Sequence, residues 1–188
     1  PMIHYVLDVA NEINSVHTVL VVGHKKEMVI EETEDRDVKI AVQEQQLGTG
    51  HAVMQTEEFF TDFDGHVLVL SGDVPLLTTE TIKNLNENHL QENPLATLLT
   101  AVVDNPTGYG RIVRNEKGLV EKIVEEKDAD EEIKKIKEIN VGIYIFKSKE
   151  LFETLPKVGN NNAQGEYYLP DVIKIYIENN LPVVPIIT

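Results

Sequence analysis

Residues 38–53, VKIAVQEQQLGTGHAV, contain an apolar strand pattern, a glycine-rich turn and the beginning of a helix pattern. The run VKIAV is typical of a buried strand, and the residues that follow Gly50 favour a helix. A strand joined to a helix through a short turn is the repeating unit of α/β proteins. This stretch therefore predicts an α/β fold.

The same alternation continues in both directions along the chain. Strand patterns cover residues 16–23, 37–42, 66–73, 95–103, 138–147 and 182–188, and helix patterns cover residues 2–13, 25–34, 51–60, 79–90, 128–137 and 170–177. Strands that are apolar on both faces and separated by helices indicate a mostly parallel sheet with helices on both faces. We therefore predict a Rossmann-like fold, in which Ile82, Leu85 and Leu90 form the apolar face of one helix.

One insertion interrupts this alternation. Residues 111–129, RIVRNEKGLVEKIVEEKDA, consist of two short alternating runs around Lys117 and Gly118, which predicts a β-hairpin. The chain has 188 residues, enough for one domain with a sizeable core, and it contains no internal repeat or linker. We therefore expect a single α/β domain over residues 1–188, with a small hairpin insertion.

The composition excludes several classes of function. Hydrophobic residues make up 41% of the chain and charged residues 26%, and no apolar run reaches membrane-spanning length. The formal net charge of −15 at pH 7 opposes binding to nucleic acid, because the phosphates would be repelled. The sequence has no cysteine, which excludes disulfides and thiolate metal sites. We expect a cytoplasmic protein that binds neither nucleic acid nor membranes.

The turn that contains Gly48 and Gly50 does not match the common phosphate-binding templates. A P-loop requires a lysine and a hydroxyl residue after its second glycine, where this chain has His51 and Ala52. A dinucleotide fingerprint requires a third small residue where this chain has Val53. The turn is therefore either a flexible connection or a site for something other than phosphate.

Gln43 directly precedes this turn, at the end of the predicted strand. Its amide can pair with the donor and acceptor edge of a base, and the backbone of Gly48 and Thr49 could approach that base closely. These residues are candidate nucleotide ligands. The alternative is a polar strand end followed by an ordinary loop.

The predicted strand 66–73 ends in Ser71, Gly72 and Asp73. Ligands of open α/β sheets bind beyond the carboxyl ends of the strands. A carboxylate there suits Mg²⁺, which commonly takes one or two protein carboxylates together with substrate phosphate oxygens. The spacing is equally compatible with a structural role, in which Asp73 accepts hydrogen bonds from the amides of the following turn.

Three further features are candidates for ligand binding. In the segment PTGYGRIVR two glycines flank Tyr109, which suits a loop that covers a ligand, and Glu125 lies at the end of the second hairpin strand. Asn140 is polar within an apolar strand and must find hydrogen-bond partners in the protein or in a ligand. The six histidines show no metal-ligand spacing, and no nucleophile elbow is present, so covalent catalysis is not indicated.

Six segments occur in an order and spacing that resemble one enzyme family. They are QEQQLGTGHA, SGDVPL, NPTGYGRIVR, VEEKDA, EINVGIY and NNNAQGEYYLPD. Through essentially all of its length the chain resembles the N-acetylglucosamine-1-phosphate uridyltransferase domain of the bacterial bifunctional enzymes that make UDP-N-acetylglucosamine. LGTGHA and GDVPL are similar in other sugar nucleotidyltransferases, whereas NNNAQGEYYLPD is more particular to this family. The resemblance implies a fold of the nucleotide-diphospho-sugar transferase type.

The resemblance also implies a reaction and a set of ligands. The implied reaction transfers a uridylyl group from UTP to N-acetylglucosamine 1-phosphate, releases pyrophosphate and gives UDP-N-acetylglucosamine for peptidoglycan precursors. The implied nucleotide ligands are Gln43, Gly48, Thr49, Ser71 and Gly72. The implied sugar ligands are Gly110, Glu125 and Asn140. Asp73 is the implied catalytic residue, as the ligand of Mg²⁺.

The family pattern extends beyond both ends of this sequence. A glycine-rich loop with an arginine and a lysine precedes the position of Pro1, and a metal-binding asparagine and an acetyltransferase domain follow the position of Thr188. The resemblance implies that these 188 residues alone are a weak catalyst, and that full-length members form trimers, but not through this domain alone. The alternatives are another sugar-1-phosphate nucleotidyltransferase and a chain that binds sugar nucleotide without turnover.

Overall fold

The computed structural model describes residues 1–74 and 77–188. The helices are α1 (Met2–Glu12), α2 (Lys26–Glu32), α3 (Thr49–Met54), α4 (Thr79–Glu92), α5 (Ser148–Thr154) and α6 (Pro170–Glu178). The strands are β1 (Val19–Val22), β2 (Lys39–Val42), β3 (His66–Val69), β4 (Ala96–Val102), β5 (Gly110–Arg114), β6 (Val120–Val124), β7 (Glu138–Lys147) and β8 (Val183–Ile187). Short 3-10 helices cover Glu57–Phe60, Ile133–Lys135 and Leu155–Lys157. The predicted α/β class is confirmed.

The strands form two sheets with different directions of pairing. β1 and β2 make a parallel pair, and the larger sheet has the order β6-β5-β7-β4-β8, with β3 also paired to β7. β7 runs antiparallel to β3, β4 and β5, whereas β4 and β8 are parallel. The sheet is therefore mixed, whereas the sequence predicts mostly parallel pairing. β7 is buried along most of its length and carries no sequence signal of its direction.

Strand β7 determines where the candidate site lies. One edge of β7 pairs with β4, and the other edge pairs with β5 near Asn140 and with β3 near Tyr144. The loops that follow β3 and precede β5 therefore meet beside the same strand.

The hairpin forms where the sequence predicts it, through antiparallel pairing of β5 and β6. Its turn is organised by Asn115, whose side-chain Oδ1 atom accepts hydrogen bonds from the backbone N–H groups of Lys117 and Leu119. Gly118 completes the turn with φ +76°, a conformation that glycine adopts without strain.

Two predicted helices require correction, and one observed helix is missing from the prediction. The helix expected over residues 128–137 is only the 3-10 helix Ile133–Lys135, because seven of its ten residues are charged and leave little apolar surface to pack. The helix expected over residues 51–60 ends at Met54, and Thr56 bonds back to the carbonyl oxygen of Val53 before the 3-10 helix begins. Helix α5 is absent from the predicted elements, because its seven residues are too few for a clear helical period.

Helix α4 buries His89 in place of the predicted core residue Leu90. Its N-terminus is capped by Thr78, whose hydroxyl accepts a hydrogen bond from the N–H of Thr81. Ile82 and Leu85 are fully buried as expected, but Leu90 is exposed on the wall of the apolar cavity described below, and His89 occupies the buried position beside it. His89 is accepted there because its ring nitrogens are hydrogen-bonded.

An apolar cavity of about 1100 Å³ separates the two sheets. It is lined by one face of α1 and by residues of β1 and β3. Among the described residues, β1 pairs only with β2 and β3 only with β7, so the remaining edge of each strand is free. Of the predicted site residues, only Gly72 lines the cavity, which therefore borders the candidate site at that residue.

No helix in the described part of the chain is both long and apolar enough to cross a membrane.

Candidate functional site

Gln43 is buried directly after β2 and is held by the turn that follows it. Its Nε2 atom donates to the carbonyl oxygen of Gly48 at 3.0 Å and lies 2.9 Å from Nδ1 of His51. An amide nitrogen has two hydrogens: the carbonyl oxygen of Gly48 accepts one, and Nδ1 of His51 accepts the other in the tautomer that carries its proton on Nε2. The side-chain oxygen of Gln43 is therefore the atom left to accept a hydrogen bond from a ligand.

The glycines of this turn are required by the protein itself. A Cβ atom on Gly48 would lie 2.6 Å from the carbonyl oxygen of Tyr167, and Gly48 also has φ +107°. The N–H of Gly50 donates to the same oxygen at 2.7 Å. The N–H of Tyr167 donates to the carbonyl oxygen of Leu47 at 2.8 Å. The sequence suggests that these glycines allow approach by a base; the close approach that the structure shows is by the backbone of Tyr167.

Thr49 is also tied to this segment. Its hydroxyl oxygen accepts a hydrogen bond from the N–H of Leu169 at 3.0 Å. The side chain of Thr49 remains exposed, so its hydroxyl hydrogen can point to a ligand outside the turn.

The segment after β3 carries the remaining predicted nucleotide and metal residues. Ser71 donates from its hydroxyl to the carbonyl oxygen of Gly142 at 3.4 Å, which places it against β7. Gly72 and Asp73 are exposed. The predicted motif SGDVPL continues into residues 75 and 76, which lie outside the described residues.

The three predicted sugar ligands lie together at the start of the hairpin. Gly110 and Asn140 are directly opposite each other in the β5–β7 pairing. A Cβ atom on Gly110 would lie 3.0 Å from Oε1 of Glu125, so only glycine leaves room for that carboxylate without a shift. The predicted hairpin already places Gly110 near Glu125, whereas no local pattern in the sequence predicts that Asn140 meets them.

Asn140 has protein partners for both ends of its amide. Its Nδ2 atom donates to the hydroxyl of Tyr144 at 2.6 Å, and its Oδ1 atom accepts from the N–H of Gly142 at 3.2 Å. Each amide atom still has one further hydrogen or lone pair for a ligand. The expectation that Asn140 must find hydrogen bonds is confirmed.

Glu125 lies in an electrostatic environment that favours its neutral form. Burial raises the pKa of this carboxyl, and the negative charges of Asp128 and Asp171 raise it further. A half-buried carboxyl with a raised pKa is a common feature of binding and catalytic sites.

Residues 160–169 connect the two halves of the site, a role that no sequence pattern indicates. Asp128 accepts a hydrogen bond from the N–H of Ala163 at 2.8 Å and another from the hydroxyl of Tyr168 at 3.3 Å. The same segment reaches the glycine turn through Tyr167. Burial, followed by the charge of Asp128, raises the pKa of Tyr168 to about 12, so Tyr168 remains a hydrogen-bond donor at neutral pH.

A divalent cation at this site would depend on both the protein and the substrate. The described residues contain no group of three or more histidine or acidic side chains arranged around a metal position. Asp73, exposed after β3, can supply one carboxylate. This limited donor set fits a cation such as Mg²⁺ that takes its other ligands from phosphate oxygens and water.

The architecture is the α/β fold of nucleotidyl transferases. The fold is similar to that of a UDP-glucose pyrophosphorylase solved with UDP-glucose, with a TM-score of 0.71 and 16% identity over 98% of this chain and 78% of the other. It is also similar to a protein from Bacillus anthracis, described as a glucose-1-phosphate thymidylyltransferase and solved with sucrose, with a TM-score of 0.74 and 18% identity. That match covers all of this chain and 74% of the other. At these identities the comparisons establish the fold alone.

The chain belongs to the nucleotidyl transferase family, whose model matches residues 1–187. Members of this family generally act with a divalent metal. A relative from Streptococcus thermophilus (strain CNRZ 1066), named bifunctional protein GlmU, is 51% identical over 178 residues. A protein of the same name from Pediococcus pentosaceus is 53% identical over 174 residues. These matches cover 95% and 93% of this chain, but only 38% and 37% of the relatives, so the chain spans less than half of their length.

Proposed function

We propose that this chain transfers a uridylyl group from UTP to N-acetylglucosamine 1-phosphate. A phosphate oxygen of the sugar phosphate attacks the α-phosphorus of UTP, and the bond from that phosphorus to the oxygen bridging to the β-phosphorus breaks. The products are UDP-N-acetylglucosamine and pyrophosphate. The observation that carries this proposal is the 51% identity to a bifunctional GlmU protein across 95% of the chain.

The surroundings of Gln43 support a base as one ligand of this turn. Because its amide nitrogen is engaged by Gly48 and His51, the free side-chain oxygen can accept a hydrogen bond from a donor on the base. The imide N–H of uracil is such a donor. We assign the base to Gln43, Gly48 and Thr49, and we assign the connection between base and phosphates to Ser71 and Gly72.

The hairpin side of the site suits an N-acetylated sugar. The carboxylate oxygens of Glu125 can accept hydrogen bonds from sugar hydroxyls or from the acetamido N–H group, and Asn140 can donate to a carbonyl or hydroxyl oxygen. Gly110 keeps the adjacent backbone accessible, since a side chain there would contact Glu125. We therefore assign N-acetylglucosamine to these three residues.

Asp73 is the proposed ligand of Mg²⁺. The cation, when bound, neutralises the phosphate charges and so lowers the repulsion between the two anionic substrates. This assistance matters here because the chain carries a formal net charge of −15 and its three arginines, at positions 36, 111 and 114, are all paired with carboxylates. The proposed partners are soluble metabolites, and we propose the cytoplasm as the location.

The deciding experiment is an assay of pyrophosphate release with UTP, Mg²⁺ and N-acetylglucosamine 1-phosphate. We expect release that requires all three components. Preference for TTP or GTP over UTP would assign another sugar-1-phosphate nucleotidyltransferase activity. Binding of UDP-N-acetylglucosamine with no pyrophosphate release under any condition would instead indicate a chain that binds the product without turnover.

A further inference from the structure

Arg111 is a fully buried cation that the proposed reaction does not use. Its side chain is only 2% exposed, and its NH2 atom lies 2.6 Å from Oε2 of Glu126. Its guanidinium also donates to the backbone carbonyl oxygens of Tyr109 and, at 3.5 Å, of Lys134. Among the described residues, the Nε atom of Arg111 has no hydrogen-bond partner. A buried ion pair with an unsatisfied donor is weak evidence for a purely stabilising role.

The position of this ion pair along the chain is informative. Arg111 directly follows Gly110, and Glu126 directly follows Glu125. Neighbouring residues of a strand point to opposite faces, so Gly110 faces Glu125 while Arg111 points to the other side of β5. The ion pair therefore joins the backbone segment of Gly110 to that of Glu125, on the face of β5 opposite to the proposed sugar ligands.

Glu126 also holds the loop in front of β5. Its Oε2 atom accepts a hydrogen bond from the N–H of Gly108 at 3.3 Å, in addition to the bond from Arg111. Arg111 reaches the same loop through the carbonyl oxygen of Tyr109. One carboxylate oxygen thus joins the loop 106–109, strand β5 and the segment that follows β6.

We propose that the Arg111–Glu126 ion pair is a positioning device for sugar recognition, which sets the separation between the backbone of Gly110 and the carboxylate of Glu125. This inference rests on the proposed function, because it assumes that Gly110 and Glu125 bind N-acetylglucosamine. Neither member of the pair needs to touch the substrate. Loosening the pair moves both sugar ligands but leaves the turn at Gln43 and Gly48 unchanged.

The chain provides a matched control pair at the other end of β5, between Arg114 and Glu138 of β7. Arg114 binds Glu138 through NH2 and Nε at 2.6 and 2.7 Å, and it donates to the carbonyl oxygen of Gly118 at the hairpin turn. This second pair holds the far end of β5 and contacts none of the proposed sugar ligands. If both ion pairs only stabilised the fold, disrupting either of them would have the same effect on ligand binding.

The test compares two ligands by isothermal titration calorimetry in the presence of Mg²⁺. UDP-N-acetylglucosamine probes the sugar and nucleotide sides together, and UMP probes the nucleotide side alone. We expect Glu126→Gln, which keeps the size and one acceptor oxygen, to weaken binding of UDP-N-acetylglucosamine by about fivefold or more. Binding of UMP should stay within about twofold of the parent value, and Glu138→Gln should leave the ratio of the two affinities unchanged.

Other outcomes would overturn the inference in distinguishable ways. An equal loss for both ligands, no loss, or the same selective loss in Glu138→Gln would show that Arg111 and Glu126 only stabilise the fold. A parent chain that binds UDP-N-acetylglucosamine no better than UMP would refute the sugar assignment itself, and the positioning role with it. Glu126→Gln is the primary variant, because Glu126 is partly exposed and substituting it is safer for folding than substituting the buried Arg111. Arg111→Lys serves as the second variant.

Discussion

Asp73 and Gln43 both follow a strand, but their surroundings differ. Gln43 is buried and hydrogen-bonded on one side, so its orientation is fixed before a ligand arrives. Asp73 is exposed, so its orientation depends on what binds to it. The first residue is therefore expected to affect selectivity for the base, and the second to affect dependence on metal.

Substitution of Asp73 by asparagine should reduce Mg²⁺-dependent turnover by at least about tenfold, or about 1.4 kcal/mol in transition-state stabilisation. The side chain keeps its size but loses the charge that attracts the cation. The measurement is pyrophosphate release as a function of Mg²⁺ concentration. Asp64→Asn, an exposed position before the same strand, is the control and should match the parent. If Asp73→Asn kept the parent's metal dependence, Asp73 would be only a turn residue.

Replacing Gln43 by alanine should raise the KM for UTP more than the KM for N-acetylglucosamine 1-phosphate. The variant removes the acceptor oxygen assigned to the base, while the hairpin side of the site keeps all of its contacts. Steady-state kinetics with each substrate varied in turn give both constants. Gln45→Ala, at an exposed neighbouring position, controls for general effects on the turn. A parallel rise of both constants would indicate collapse of the turn.

Among the secondary-structure elements, the hairpin and strand β7 show what the sequence could and could not predict. The hairpin followed from Lys117 and Gly118, because local turn chemistry decides it. The direction of β7 could not be predicted, since its pairing partners lie 28 or more residues away in sequence and its apolar run looks the same in either direction. The contact between Gly48 and Tyr167 is equally non-local, so the sequence could not predict that this glycine turn also packs against the backbone of Tyr167.

Gly118 offers a test of the hairpin turn by itself. Gly118 has φ +76°, and a Cβ atom there would meet no other atom within 4 Å, so alanine should cost about 1 kcal/mol through backbone strain alone. Gly159 has equal space but no positive φ, and Gly159→Ala should be neutral or slightly stabilising. Urea denaturation of both variants measures the free energy of unfolding. Equal effects of the two substitutions would contradict the assigned turn conformation.

Helix α4 should make stability depend on pH through His89. This fully buried ring bonds Thr97 at 2.7 Å and His66 at 2.9 Å, and burial, followed by the charges of His66 and Lys147, lowers its pKa to about 4. The unfolded chain binds a proton near pH 6.5 and the folded chain only near pH 4, so stability falls as the pH decreases through this window. The loss attributable to His89 is at most about 3 kcal/mol.

The pH prediction is checked by urea denaturation at several pH values between about 7 and about 4, the window set by the unfolded and folded pKa values of His89. His89→Gln should be less stable at neutral pH but should show a shallower decrease than the parent. His24→Gln, at an exposed position, should follow the parent curve. Parallel curves for the parent and His89→Gln would show that carboxyl groups alone cause the pH dependence.

At the scale of the whole molecule, stability should be divided unevenly between the two sheets. The larger sheet has β4 and β7 at its centre, and apolar residues pack on it in two clusters. The β1–β2 pair has only two strands, and two-stranded sheets have little stability of their own. The cavity of about 1100 Å³ lies between β1 and β3, so apolar side chains on its walls lack the contacts that a filled core provides.

This division predicts a difference in amide hydrogen exchange. We expect the amides of Val19–Val22 and Lys39–Val42 to exchange about tenfold or more faster than those of Ala96–Val102 and Glu138–Lys147, because the smaller sheet can open without unfolding the larger one. Exchange followed by mass spectrometry at neutral pH resolves these segments. Because Gln43 directly follows β2, the same opening would disorder the proposed base site, and a base ligand should slow exchange in the smaller sheet. Equal protection of both sheets would show that they unfold as one cooperative unit despite the cavity between them.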